Sequence, residues 1–123
     1  IHIDKNKIRL HGIDAPETEQ ECIYQKKKWA CGKRSTFELE KIINNQIVEC
    51  VISDIDKYKR YIGICYVNKI NINKKMVSEG WAIAYRYYSK DYIKDEDYAR
   101  LHKFGIWKSI FEEPYIFRKN KNN

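Results

Sequence analysis

Three charged side chains fall within nine residues in the stretch RLHGIDAPE, residues 9 to 17: Arg9, Asp14 and Glu17. Two carboxylates so close together can hold a hard divalent cation, which takes oxygen ligands. An arginine five residues before Asp14 offers the planar fork that matches a phosphate bound to such a cation. The chemistry suggested is metal-assisted handling of a phosphate ester. The plainer alternative is a surface ion pair, Arg9 to Asp14 or Glu17, and such pairs are common and contribute little. Spacing alone favours that alternative.

Placing these residues takes two short strands, over residues 1–4 and 7–13, around a turn at Lys5-Asn6. Strand alternation puts Arg9, His11 and Ile13 on one face and Leu10 and Gly12 on the other. Pro16 breaks the pattern, so Asp14 and Glu17 fall in a loop just after a strand. The polar, lysine-rich residues 18–29 read as a continuation of that loop. A helix is expected over 32–44, with Phe37, Leu39, Ile42 and Ile43 on its apolar side and Asn44-Asn45 at its end. Residues 46–53 and 61–67 are β-branched and flank the polar DIDKYKR, which reads as a hairpin. A helix over 73–79 takes Asn71 or Asn73 as its cap and Gly80 in the C′ position. A strand over 81–85 and a helix over 95–104 follow, the latter with acidic residues in its first turn and Gly105 past its end. The tail RKNKNN, residues 118–123, has no apolar residue and is expected to fray. This order is α+β, with about five strands and three helices. It fits a small closed barrel of the OB type over residues 1–117.

A chain of 123 residues with 43% hydrophobic and 14% aromatic content is expected to form one domain. Its net charge of +7 suggests a polyanion such as nucleic acid, although charge that serves only solubility gives the same number. No apolar run approaches the ~20 residues of a membrane span, and no signal-peptide core is present. The chain starts at Ile1 and its only methionine is Met76, so removal of an upstream segment is expected. Cysteines stand at 22, 31, 50 and 65 without a C-x-x-C pair, which argues against a zinc knuckle. Two disulfides in any of three pairings, or four reduced thiols, remain open at this point.

The segment IRLHGIDAPE resembles the signature of the staphylococcal nuclease-like (thermonuclease) family. DKYKR at 56–60 is similar to its D-x-Y-G-R, NINKKMVSEGWA at 71–82 to its helix-plus-strand segment, and GIW at 105–107 to its C-terminal end. The pieces come in family order across almost the whole chain. WACGKR and AIAYRYYSKDY resemble a bacterial, cysteine-containing subgroup. The resemblance implies an OB-fold barrel with packed helices and calcium-dependent hydrolysis of DNA and RNA phosphodiesters. By position it makes Asp14 a Ca²⁺ ligand, with Ala15 offering its backbone carbonyl. Glu17 would handle the attacking water. Arg9 and Arg60 would hold the phosphate and stabilise transition-state charge. Lys57, Tyr85 and Tyr87 would line the nucleotide site. His2, His11 and His102 match nothing catalytic. The subgroup also implies disulfides Cys22–Cys31 and Cys50–Cys65, the second pair lying where a hairpin sets them opposite. Disulfides in turn imply an exported, periplasmic or secreted protein. A monomer is expected, with single strands favoured over duplex.

Two departures stand out. Lys59 replaces the family's glycine before Arg60, which is strained if that position has positive φ. A further calcium-binding aspartate of the family, in a DGDT-like stretch, would align just before Ile1, and Asp4 is too close to Arg9 to take its place. The competing function is a catalytically weak or inactive nuclease-like module that binds nucleic acid without cutting it. The retained carboxylates Asp14 and Glu17 speak against it, since a pure binder has no use for them near phosphate.

Overall fold

The computed structural model describes residues 1–3 and 6–121. Asp4 and Lys5, where the first expected strand ends and turns, lie outside the described residues, as do residues 122–123 of the tail. In chain order the elements are β1 (His2–Ile3), β2 (Asn6–Leu10), β3 (Ile13–Asp14), β4 (Cys22–Tyr24), β5 (Lys27–Trp29), α1 (Cys31–Ile43), β6 (Val48–Ile55), β7 (Tyr61–Val67), β8 (Ile70–Asn71), α2 (Ile72–Ser78), β9 (Ile83–Ala84), α3 (Ile93–His102), a 3₁₀ turn (Gly105–Lys108) and α4 (Pro114–Lys121). The class is α+β, as expected.

The main sheet runs β1-β2-β7-β6, with β8 added to β7. Strands β2 and β7 are parallel, with Arg9 opposite Ile62. Strands β6 and β7 form the antiparallel hairpin around DIDKYKR, with Cys50 opposite Cys65 and a bulge between Ile52 and Asp54. Both disulfides implied by the subgroup are formed, Cys22–Cys31 and Cys50–Cys65. The core gathers Ile8, Ile13 and Val67 with Ile72, Met76 and Val77 of α2, and Leu39, Ile42 and Ile43 of α1 pack against it.

Several local expectations give way to specific causes. The alternation through Arg9, His11 and Ile13 ends at Gly12, whose φ of +76° turns the chain out of β2. The amide of Tyr85 then donates to the Gly12 carbonyl at 2.8 Å, and β3 pairs with β9 instead of continuing the sheet. Gly12 is required there, because a Cβ would stand 3.0 Å from both Ser89 and Tyr92. The expected loop over 18–29 contains the hairpin β4–β5, turned by Gln25 and Lys26 at φ of +50° and +66°. Two consecutive positive φ values are what a two-residue hairpin turn needs, and the usual Asn-Gly signal is absent.

Phe37 does not face the core; it is 55% exposed, and α1 instead buries Cys31, Gly32, Ser35 and Glu38. Asn71, not Asn73, caps α2 by accepting from the Lys74 amide. The expected strand over 81–85 is only the two residues of β9, because Trp81 and Ala82 donate back to the Met76 carbonyl at the end of α2. The tail does not fray at Arg118. Residues 114–121 form the fourth helix, α4, with Pro114 buried at its start.

Candidate active site

The β2–Gly12–β3 path and the loop after it carry the charged residues of the first motif. Arg9 lies on β2, and its guanidinium carbon stands 5.6 Å from the centre of the Tyr85 ring. Asp14 ends β3 and is 2% exposed. Glu17 follows in a loop that is closely braced. The buried Gln20 side chain accepts from the Glu17 amide at 3.2 Å and donates to the Glu112 carbonyl at 2.6 Å. The start of α1 presses on the same loop at Gly32, where a Cβ would fall 1.8 Å from the Glu17 carbonyl oxygen. The Cys22–Cys31 bond ties this loop to α1.

Arg60 comes from the β6–β7 turn. Tyr61 pairs with Ile8 in the parallel register, which sets Arg60 beside the strand that carries Arg9. Buried Asn73 fixes the join of β2 to β7: it donates to the carbonyls of His11 and Gly63 at 2.9 and 3.2 Å and accepts from the Cys65 amide. Asp56 organises the turn itself. It accepts from the amides of Tyr58 and Arg60, both at 2.9 Å, and pairs with the Arg60 guanidinium at 2.8 Å. Burial pushes the Asp56 carboxyl up, but these hydrogen bonds outweigh it and hold the group below its ordinary value. Lys59 has φ of +64°, the left-handed conformation that glycine adopts without strain.

Arg9, Asp14, Ala15, Glu17, Lys57, Arg60 and Tyr85 all line one groove of about 1320 Å³. Tyr87 does not. It sits in the turn after β9, is 85% exposed, and lines an adjoining cavity on the far side of Tyr85. Tyr58, unassigned by the sequence reading, stands in the groove with Lys57 and Arg60 cations 5.3 and 5.5 Å from its ring centre.

Sequence reasoning also missed Arg118. From α4 it donates to both oxygens of Asp14, at 2.7 and 3.3 Å, and reaches Glu17 at 3.5 Å. Helix α4 is seated by the Tyr115 ring stacked on Tyr85, 5.7 Å between centres, and by a Lys121–Glu19 pair. Burial pushes the Asp14 carboxyl above its ordinary value, opposed but not cancelled by Arg118. The signal for α4 was present in the residues before the tail. Pro114 is suited to the first turn of a helix, and the aromatic and apolar Tyr115, Ile116 and Phe117 follow it, the last two partly buried.

The donors converging at Asp14 are all oxygens, which suits a hard cation and not a soft one. The Asp14 carboxylate is buried and needs a positive partner; Arg118 fills that role here, and a cation could do so in its place. Among the described residues no three His, Cys, Asp or Glu side chains form a metal cluster. A cation at Asp14 would therefore fill its remaining positions with carbonyl, water or phosphate oxygens.

Comparison with known proteins agrees with this arrangement. Residues 7–109 match the sequence profile described as "Staphylococcal nuclease homologue". Among curated relatives, a probable staphylococcal-like nuclease of Oryza sativa subsp. japonica is 33% identical over 122 residues, covering 97% of this chain and 31% of the relative. A micrococcal nuclease of Shigella flexneri is 32% identical over 131 residues, covering 95% of this chain and 70% of the relative. An uncharacterized endonuclease of Haemophilus influenzae is 34% identical over 103 residues, covering 82% of this chain and 53% of the relative. The chain spans about a third of the plant relative's length. The profile match takes in Arg9, Asp14, Glu17 and Arg60 together with the strands that carry them, so the chain belongs to the staphylococcal nuclease homologue family and its sheet is that family's OB-fold.

Proposed function

We propose that the protein is a calcium-dependent nuclease that hydrolyses phosphodiester bonds of DNA and RNA. The observation that carries this reading is the groove itself: Arg9, Arg60, Lys57, Asp14 and Glu17, from three separate segments, line one cleft. Asp14 and the Ala15 carbonyl would hold the calcium. When bound, calcium supplies positive charge that draws electrons from the phosphate and favours ionised water near it.

Arg9 and Arg60 meet the two non-bridging oxygens of the phosphate. Their charges are worth most as negative charge builds in the transition state. Asp56 keeps Arg60 aimed into the groove, and Tyr85 backs Arg9. Glu17 is one-third exposed at its side chain, open enough to take a proton from water. The water oxygen bonds to phosphorus, the bond to one sugar oxygen breaks, and solvent protonates the leaving oxygen. Lys57 adds charge for a neighbouring phosphate. Tyr58, exposed in the groove, offers its ring to unpaired bases, which supports a preference for single strands, and Tyr85 lines the groove beside it. The two disulfides support an exported, periplasmic or secreted location. The groove lies within one chain, which is consistent with action as a monomer.

Cleavage of single-stranded DNA with calcium, and its loss with EDTA, tests the reading. Activity that ignores EDTA overturns it. Substrate affinity should fall steeply with salt, because phosphate contacts dominate.

A further inference from the structure

The groove contains a cation that neither sequence spacing nor the family signature assigns. We infer that Arg118 is a third arginine of the site, held on Asp14 until a divalent cation displaces it and leaves it facing the phosphate. The inference rests on the calcium-dependent reading of the groove.

The geometry makes Arg118 and a divalent cation alternatives. Arg118 engages both Asp14 oxygens, at 2.7 and 3.3 Å, and so takes up a lone pair on each. Two positive groups against one carboxylate repel strongly in a buried setting. Asp14 is 2% exposed, so its ionised form favours having one partner or the other in place. The guanidinium also reaches Glu17, the other carboxylate of the pair.

Release does not require α4 to leave. The helix is anchored by buried Pro114 and by Tyr115 stacked on Tyr85, both before Arg118. The Arg118 side chain is 31% exposed on a long flexible stem. Its rotation off Asp14 is enough, and it lines the same groove as Arg9 and Arg60. A phosphate bound there is the anion closest at hand for the freed guanidinium. Cation and substrate then favour one another, because the cation frees the arginine that the phosphate takes up.

Calcium binding measured by calorimetry without nucleic acid tests this directly, on the wild type, Arg118→Ala and Arg118→Gln. Both variants should bind calcium more tightly, by about tenfold, a common size for coupled binding. A phosphorothioate single strand that resists cleavage should bind both variants more weakly than wild type in calcium, and equally in EDTA. Limited proteolysis of the C-terminal helix checks that α4 stays docked, and Arg118→Gln keeps most of the stem if Arg118→Ala does not. Calcium affinity that is unchanged or weaker in both variants overturns the inference, whatever α4 does. So does strand binding in calcium that is indifferent to the substitution. If the wild type binds calcium with the expected Arg118 effects but does not cut, the nuclease reading fails and the Arg118 inference stands. If no form binds calcium, both fail.

Discussion

The two walls of the groove are held in opposite ways. The Asp14 wall is assembled from distant parts of the chain: β3, the loop bearing Glu17, the start of α1 and the end of α4. Gln20 links that loop to Glu112, and Arg118 reaches back across 104 residues to Asp14. The Arg60 wall is a turn that closes on itself, with Asp56 satisfying two amides and the guanidinium four residues on. The first wall buries its charge and depends on the fold; the second keeps its charges at the surface and depends on five consecutive residues. Removing the Arg60 guanidinium from its wall should therefore change catalysis with little change in stability. A substitution on the Asp14 wall should change both.

The largest expected effect is on turnover. Arg60→Ala should lower kcat/KM by about 10²–10³, as loss of a single charge-stabilising contact does. Its thermal midpoint should stay close to wild type, because Arg60 pairs only within its own turn. Glu17→Ala should lower turnover while leaving strand binding nearly intact. A large stability loss in Arg60→Ala would break the contrast between the walls.

Next comes the disulfide that braces the Asp14 wall. Replacing Cys22 and Cys31 by Ser should cost about 2–4 kcal/mol in urea unfolding. It should also weaken calcium binding, because the loop bearing Glu17 loses its tie to α1. The Cys50–Cys65 pair joins strands already hydrogen-bonded to each other, so its loss should lower stability without touching calcium affinity. If both removals affect calcium alike, the Asp14 wall is not the separately braced unit described above.

A smaller effect is expected at Asp56. Asp56→Ala should reduce kcat/KM by about tenfold, the rate equivalent of a modest misplacement of Arg60. Its carboxyl sits below its ordinary value in the folded chain. Its contribution is therefore fully present above the unfolded carboxylate range and is lost as pH falls through the lowered folded value. Wild-type activity should drop on acidification through that window more than activity of the Asp56→Ala variant, in matched pH profiles. The smallest expected change is at Lys59. Lys59→Gly should raise stability by up to about 1 kcal/mol in thermal unfolding by relieving the left-handed backbone, with activity neutral or slightly higher.

The Arg60 wall was the more legible in sequence because its contacts are local. A hairpin around DIDKYKR follows from residues within one turn, and the strain at Lys59 follows from the resemblance, where a glycine stands at that position. On the Asp14 wall the functional residues that could be named were Asp14, Ala15 and Glu17. Gly12 hides a change of strand direction that alternation cannot foresee, since glycine fits either conformation. The hairpin of Cys22–Tyr24 and Lys27–Trp29 turns on Gln25 and Lys26, residues without a turn signal. Arg118 stands in a polar tail where a charged residue is the default. Its partner lies at the other end of the chain, and no local pattern encodes a contact of that separation.

The central claim is that Asp14 serves the cation while Arg60 serves the phosphate, and paired calcium titrations of single-stranded DNA cleavage test it most directly. Asp14→Asn should shift the calcium dependence to higher concentration and recover part of its rate there. Arg60→Ala should cut slowly at every calcium concentration with the midpoint unmoved. An Asp14→Asn variant that cuts normally at low calcium, or an Arg60→Ala variant rescued by high calcium, would contradict the account.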